Sequence, residues 1–571
     1  MSTGTPRKLL LLLAALALIL LTCACAVQLP NFHAVSAHPK ATILPPVALA
    51  PQIPDPPSRA IRVSYLQGSV SFRAAGTGNW SRAELNRPLA EGDALWVDGA
   101  ARAELHLGSA AIRLDARTPV DILRFDDRIL QAKVTMGVLG ISVRRPAPGE
   151  VVEIDTPNAA ISLSRPGEYR IEIDPGMDST FVSVQSGEAE VSGTRLEFNV
   201  TAGQRVNLSG PEAEEYGRAA PLVLDKFDDF CKARDRRESQ SISAKYVPAQ
   251  TNGYFDLDEA GDWRIDAHWG SIWTPRSLPA NWAPYRFGHW VWMEPWGWTW
   301  VDDASWGFAP FHYGRWILLN GTWSWIAGPE NTPAVYAPAL VAFIGGGRSG
   351  LRYFYWIGRA GIAWFPLGPG EIYDPPYRCS ASYLAGLNIG DTDRDGHSNL
   401  PVPGAVTSVA VDAFVRGRSV AEAAVPISPR RAALAFVSGT APPVAPVAQS
   451  VAPRWDRFVL EPPARQAELA VVSRRDPALQ PIPFRERRPL LDAHPGYPLA
   501  SSESQQLRRQ SGEAPPYLVR PARLGDTGPL VIPPQVLERT PQEIARQKEI
   551  DARRLHEIQT ELRRVHPPAQ P

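Results

Sequence analysis

Between residues 60 and 210, apolar and polar positions alternate with a period of two. RVSYLQGSVSFRA, DALWVDGAARAELHLGSAAIRLDA, PVDILRF, EVVEIDTP, AAISLSRPGEYRIEI and STFVSVQSGEAEVSG follow one another with Gly, Asp or Ser between them. Leu105 and Leu107 share one face of their run, and Ile112 and Leu114 share one face of the next. Short runs of period two, separated by turn residues, predict an antiparallel all-β domain. Its Val, Ile and Leu content is enough for an aliphatic core.

Downstream the pattern changes. Residues 211–252 include LVLDKFDDFCKARDRRESQSISAKY, which is charged and free of Gly and Pro, and predict a helical linker. Residues 253–430 hold a repeat instead. GDWRIDAHWGSIWTP starts at Gly261, GHWVWMEPWGWTWV at Gly288 and GRWILLNGTWSWIAG at Gly314. Each unit opens on Gly-x-Trp, at Trp263, Trp290 and Trp316. Each closes on an aromatic-Ala-Pro step: Trp282-Ala283-Pro284, Phe308-Ala309-Pro310 and Tyr336-Ala337-Pro338. Trp290 and Trp292 share one strand face, and Trp298 and Trp300 share the face of the next, so each unit predicts a β-hairpin. Glu294-Pro295-Trp296-Gly297 suits a type I turn between them. The fold class expected is therefore mainly β.

From 431 to 535 Pro, Ala and Arg dominate, as in APPVAPVAQSVAPRW and PFRERRPLLD, and we expect a disordered region. Within 536–571, PQEIARQKEIDARRLHEIQTELRRV predicts a terminal helix, capped by Thr540 with Glu543 three residues on. Leu555, Ile558, Leu562 and Val565 give it a short apolar seam.

The first 26 residues read as a signal peptide. Arg7 and Lys8 precede LLLLLAALALILL, and Ala24-Cys25-Ala26 fits a cleavage site. The apolar run is too short to span a bilayer comfortably. Lipoprotein processing at Cys23 or Cys25 is the alternative, and it alone would tie the chain to a membrane. Residues 27–59, rich in Pro and Ala, are a linker. The expected location is the periplasm or the outer membrane. After cleavage Cys231 and Cys379 remain, and two cysteines in an oxidising compartment can pair.

Composition narrows the chemistry. Fifty-nine basic and fifty-nine acidic residues leave no net charge to steer the chain to nucleic acid. Thirteen of the eighteen tryptophans lie between 263 and 325. Such rings either form a core or stack on a ligand. In an exported neutral protein that ligand would be peptidoglycan or surface polysaccharide. Turn and loop rings are the better contacts: Trp296 and Trp306, then Tyr285 and Tyr313. His268, His289 and His312 do not read as metal ligands, because aligning the repeats sets His289 over Arg315 and His312 over Arg286. DTDRDGH (391–397) opens like a calcium loop, but Val402 stands where the bidentate Glu is needed. Asp302-Asp303 reads as a solvated turn. We find no cofactor motif and no catalytic constellation.

Two resemblances sharpen this reading. GSVSF, LAEGDALWVDGAARAELHLGSAAIRLD, TPNAAISLSRPGEYRIEI, VSVQSGEAEVSG and VTAGQRVNL resemble the FecR periplasmic domain, most specifically over Glu91–Leu114. That resemblance implies a β-rich extracytoplasmic domain. Signalling members of that family carry a cytoplasmic sigma-factor-binding segment ahead of a membrane span. Only six residues precede Arg7, so sigma-factor regulation is not carried over. YRFGHWVWMEPWGWTWVDDASWGFAPFHYGRW and AWFPLGPGEIYDPPYRCS resemble the Trp-rich domain of unknown function that follows FecR domains in exported bacterial proteins. The expectation is a non-enzymatic envelope protein that binds or scaffolds, with a glycan or another envelope protein as partner. The rivals are a FecR-type signalling partner and a glycan-active envelope enzyme using Asp302 or Asp303.

Overall fold

The computed structural model describes residues 54–522, apart from 212, 214, 346–353, 357–358, 391–396, 434, 453–458 and 512–516. The expected signal peptide, Cys23, Cys25, the DTDRDG run and the 541–565 helix lie outside the described residues. The chain is mainly β, as the alternation predicts. No helix among the described residues is long and apolar enough to cross a membrane.

Residues 61–218 build two nine-stranded sheets whose inner faces belong to one hydrophobic core. All ladders are antiparallel except that of Ile129–Lys133 with Val151–Asp155. Leu105 lies opposite Ile112, and Ala103 opposite Leu114, all buried, so the period-two reading holds residue by residue. The other face of these strands is polar yet also buried. Glu104 and Arg113, opposite each other, pair at 2.8 Å beneath the helix Lys226–Ser239. That helix supplies Asp235 to Arg113 at 2.8 Å and Arg234 to Glu104 at 2.7 Å. Burial raises the Glu104 pKa, but the Arg234 hydrogen bond and the Arg113 charge outweigh it and hold the carboxyl far below its ordinary range. The helix begins at a capping box, Asp225 accepting from the Asp228 backbone and Asp228 answering from its side chain. Of the 211–252 segment expected as a helical linker, Lys226–Ser239 is helix and serves as the lid of one sheet, while Glu215–Arg218 is instead the last strand of that sheet.

Gly140 marks where that lid presses closest. A Cβ there would come within 2.6 Å of the Cys231 sulfur. Cys231 and Cys379 are both free thiols, so the pairing open to them is not made. The reason is their placement: Cys231 faces the sheet from the helix, while Cys379 precedes the helix Ala381–Leu387, near Asp55.

The tryptophan units fold as three hairpins: Gly261–Asp266 with Gly270–Pro275, Gly288–Met293 with Gly297–Asp302, and Arg315–Leu319 with Thr322–Ile326. Their assembly does not follow sequence order. The first and third hairpins join in one four-stranded sheet, and the second stands alone as a two-stranded ribbon. The second hairpin turns through Glu294, Pro295 and Trp296, with Met293 opposite Gly297 and the Glu294–Pro295 bond cis.

The register explains the Gly-x-Trp signature. Trp263 lies opposite Trp273, Trp290 opposite Trp300, and Trp316 opposite Trp325. The indole of each return strand lies over the opening glycine. A Cβ at Gly261, Gly288 or Gly314 would come within 2.4 Å of Trp273, 2.7 Å of Trp300 or 2.8 Å of Trp325. The closing prolines cooperate: Pro310 O accepts the Trp316 indole N–H at 2.7 Å, and Pro338 O accepts the Trp300 backbone N–H at 3.0 Å.

The region 431–535 departs from expectation within its described residues. Phe436–Gly439 adds a strand beside Val341–Gly345. Val471–Ser473 pairs in parallel with Val519–Pro521, and Val471, Val472 and Leu491 are fully buried. Composition misled because this stretch does not fold alone. It borrows its partners from the β domains, as when the Trp298 indole donates to Val444 O at 3.0 Å.

Candidate functional site

The two β bodies are joined through Arg62 and Asn86. Arg62 is fully buried. It donates to Asp256 at 2.6 Å, to Asn86 Oδ1 at 2.7 Å and to Ser305 O at 3.0 Å, and lies over the Phe308 ring. Asn86 donates onward to Asp302 O at 3.0 Å and to Ala304 O at 2.6 Å. The Asp302 turn is thus a docking turn; its reading as solvated fails for Asp302, which is buried, and holds for Asp303, which is exposed. Its carboxyl accepts from the Trp300 indole and the Ala304 N–H, both at 3.0 Å. Burial pushes the Asp302 pKa well above the ordinary carboxylate range. Gly307 is packed so close that a Cβ there would fall 2.4 Å from an Asp302 oxygen.

The four predicted contact rings are all inside, and this overturns their reading as an exposed stacking platform. Trp296 and Tyr285 are 0% exposed, Tyr313 5% and Trp306 8%. Trp296 meets Tyr336 edge-on at 5.0 Å. Trp306 packs against Trp273, Trp282 and Phe311. Tyr285 donates to Phe311 O at 2.9 Å and accepts from the Leu340 N–H at 3.1 Å. Tyr313 sits between Phe308 and Tyr336. Each ring gains more from burial beside other rings than a solvated stacking face would offer before a ligand arrives. The three histidines also have structural surroundings. His289 pairs with Glu84 at 3.1 Å, the buried His312 faces Ala337 O at 2.8 Å, and His268 packs on Trp269. Among the described residues no cluster of His, Cys, Asp or Glu is arranged to hold a metal.

What the fold offers instead is a cleft of about 930 Å³ where the sandwich, the tip of the second hairpin and the C-terminal region meet. Arg87, Glu91 and Phe125 line it from the sandwich, Trp292 and Glu294 from the hairpin, and Arg378, Tyr497 and Arg508 from later segments. Trp296 borders it too, but as sealed backing. Tyr313 borders a second cavity of about 640 Å³. Tyr285, Trp306 and Asp302 line neither.

The carboxylates of the cleft are mostly committed. Asp93 accepts the Ala75 and Ala90 N–H groups, each at 2.8 Å, and burial pushes its pKa up to about 6. Glu294 pairs with Arg487 at 2.9 Å, Asp55 holds Ser380, and Glu503 accepts from the Ala500 N–H at 2.7 Å. Glu91 differs. Burial pushes its pKa up to about 7, against a backbone hydrogen bond from Phe125 and the charges of Arg124 and Arg508. Near neutrality it is both donor and acceptor. Rigid aromatic edges, guanidinium groups and one such carboxyl suit hydrogen bonding to a polyhydroxy, acceptor-rich ligand. Each of these five carboxylates already has a hydrogen-bond or ion-pair partner. Sequence reasoning missed Arg62, Asn86 and Glu91. For Arg62 the faint signal was an Arg within an alternating strand.

Comparison with known proteins gives one family. A family model described as a family of unknown function (DUF6600) matches residues 254–371, which hold the three hairpins and the strands that follow. No curated protein matches the chain. Among solved structures, two crystal structures of a "putative anti-sigma factor" from Parabacteroides distasonis are similar to part of it. One is 14% identical, covers 26% of this chain and 76% of its own, and has a TM-score of 0.21. The other is 15% identical, covers 29% and 72%, and has the same TM-score of 0.21.

Proposed function

We propose that this chain is an exported, non-enzymatic protein of the cell envelope that binds a glycan, peptidoglycan or surface polysaccharide, in the cleft between its two β bodies. The observation that carries this reading is the cleft itself. It has the volume of a ligand site, and its walls are fixed by an aromatic core on one side and a two-sheet sandwich on the other. A preformed site loses little entropy on binding. The FecR-like pattern of residues 60–210 and the export-signal pattern of residues 1–26 are what support an envelope location. Most of the tryptophans stiffen the site from behind, and Trp292 presents its edge to it.

Calorimetric titration of the intact chain with purified peptidoglycan fragments and with surface polysaccharide tests the reading. Saturable binding is expected, weakened about tenfold by Arg508→Ala, the loss of one charge-assisted hydrogen bond. Absence of saturable heat with both ligand classes would discard it.

A further inference from the structure

Two of the three hairpins carry a tryptophan at the tip. Trp269 follows Trp263 by six residues, as Trp296 follows Trp290, and each precedes a glycine of positive φ, Gly270 or Gly297. The two rings thus hold equivalent places in the repeat, but their surroundings differ. Trp296 is sealed against Tyr336, and a Cβ on Gly297 would meet Pro498 at 3.4 Å. At the first tip nothing among the described residues lies within 4 Å of a Cβ built on Gly270. Ten of the thirteen tryptophans between 263 and 325 are buried, and Trp263 and Trp282 pack against the core. Trp269, half-buried, belongs to neither group.

The ring is nevertheless held. Asp266 Oδ1 accepts the His268 and Trp269 backbone N–H groups at 2.9 and 3.0 Å, and the His268 ring meets the indole edge-on at 4.4 Å. Trp269 lines the second cavity, whose volume of about 640 Å³ is that of a small-ligand site. Tyr313, Ala327 and Ala337 give this cavity a buried lining, and residues 328–335 form another wall. That wall is pinned. Thr332 Oγ1 donates to Pro329 O at 2.6 Å, Pro333 bridges to Ala249, and Gly386 lies so near Val335 that a Cβ there would come within 2.9 Å of it. Glu330 and Asn331 on the same wall are exposed, with no hydrogen-bond or ion-pair partner among the described residues. Arg315 lines the cavity too, but its guanidinium is buried and donates to Glu371 O at 3.1 Å and to Asn388 Oδ1 at 2.9 Å.

An indole presents a broad apolar face, which matches the C–H face of a pyranose ring. An amide both donates to and accepts from hydroxyls, and a carboxylate accepts from them. The exposed Glu330 charge opposes an anionic ligand, and the committed Arg315 does not offset it. We propose that the cavity beside Trp269 is a second saccharide site, selective for a neutral pyranose that stacks on Trp269 and hydrogen-bonds to Asn331 and Glu330. It shares no lining residue with the cleft, so it stands or falls apart from the cleft reading.

Fluorine NMR on the intact chain labelled with 5-fluorotryptophan tests this, with Trp269→Phe assigning the Trp269 resonance. The probes are neutral hexamers of N-acetylglucosamine, glucose and mannose, and an anionic galacturonate hexamer. At least one neutral hexamer should shift the Trp269 resonance saturably, with the galacturonate hexamer at least tenfold weaker. By calorimetry, Trp269→Ala should weaken that hexamer about tenfold and Asn331→Ala about fivefold. Arg508→Ala, in the cleft, should leave the Trp269 titration unchanged. A Trp269 resonance unmoved by every neutral hexamer would overturn the proposal, as would equal or tighter binding of the galacturonate hexamer. Binding lost in Arg508→Ala but indifferent to Trp269→Ala would also overturn it, since the sugar would then occupy the cleft alone. A Trp269 resonance that titrates while Arg508→Ala changes the binding of no glycan supports this site and discards the cleft.

Discussion

The sandwich and the tryptophan body solve the same packing problem with different materials. In the sandwich, small aliphatic side chains alternate over eighteen strands, and no single residue dominates. In the tryptophan body three short hairpins would be marginal alone. Rings of about 150–250 Å² each replace the missing strands. Trp290, for example, contacts Trp300, Phe343, Trp364 and Phe414. The difference teaches that an aromatic core concentrates stability in few positions. It also creates polar obligations that an aliphatic core lacks. The indole N–H groups of Trp273, Trp300, Trp316, Trp325 and Trp364 all find acceptors, whereas those of Trp290 and Trp292 find none among the described residues.

The sharpest way to break the comparison is to cut what both bodies share. Arg62→Met should cost about 3–5 kcal/mol, because Asp256 is left buried with one cation fewer. Urea unfolding should show both bodies destabilised together; a loss confined to one would mean that Arg62 does not join them. Within the tryptophan body, Trp300→Ala should cost about 3–5 kcal/mol, against less than about 1.5 kcal/mol for the volume-conserving Leu105→Met in the sandwich. Similar losses at the two positions would erase the distinction drawn here.

Acid separates the bodies next. Burial pushes the His312 pKa down from 6.5 to about 3. A His with a depressed folded pKa contributes stability above pH 6.5 that is lost as pH falls toward 3. Between pH 7 and pH 5 the contribution of His312 taken alone should fall by about 2 kcal/mol, opposed by the stability that buried Asp302, its pKa raised, gains as pH falls. Glu104 and Glu238 in and over the sandwich have depressed pKa values, so their contribution is intact until pH approaches 4.5. Urea unfolding of the native chain and of His312→Gln at pH 7 and pH 5 checks this: on going to pH 5 the native chain should lose about 2 kcal/mol relative to the variant. The smallest expected effect is at the helix cap. Asp225→Ala should cost about 1 kcal/mol, read as a small drop in Tm.

Much of the fold was legible. Leu105, Ile112 and their neighbours announced strands because a strand with one face in a core must alternate. The Gly-x-Trp repeat announced hairpins, and the structure adds why glycine is required there. The candidate site was far less legible. Trp296 and Trp306 looked like loop rings, and loops are normally exposed, but here neighbouring segments bury the loops. Glu91 and the wall of Arg378 and Arg508 are brought together from points hundreds of residues apart.

The sequence by itself determined period, strand and turn, because those depend on residues within one another's reach along the chain. It determined the concentration of tryptophan, and with it that one body would have an aromatic core or an aromatic surface. Only the tertiary structure decided between the two. It also decided that the first and third hairpins pair while the second docks elsewhere, and that Cys231 and Cys379 are separate thiols. The Pro- and Arg-rich stretch after 431 closes over the sandwich for the same reason. Burial is a property of what other segments do, and charge pairs such as Arg62 with Asp256 form across 194 residues. No local pattern encodes such a distance.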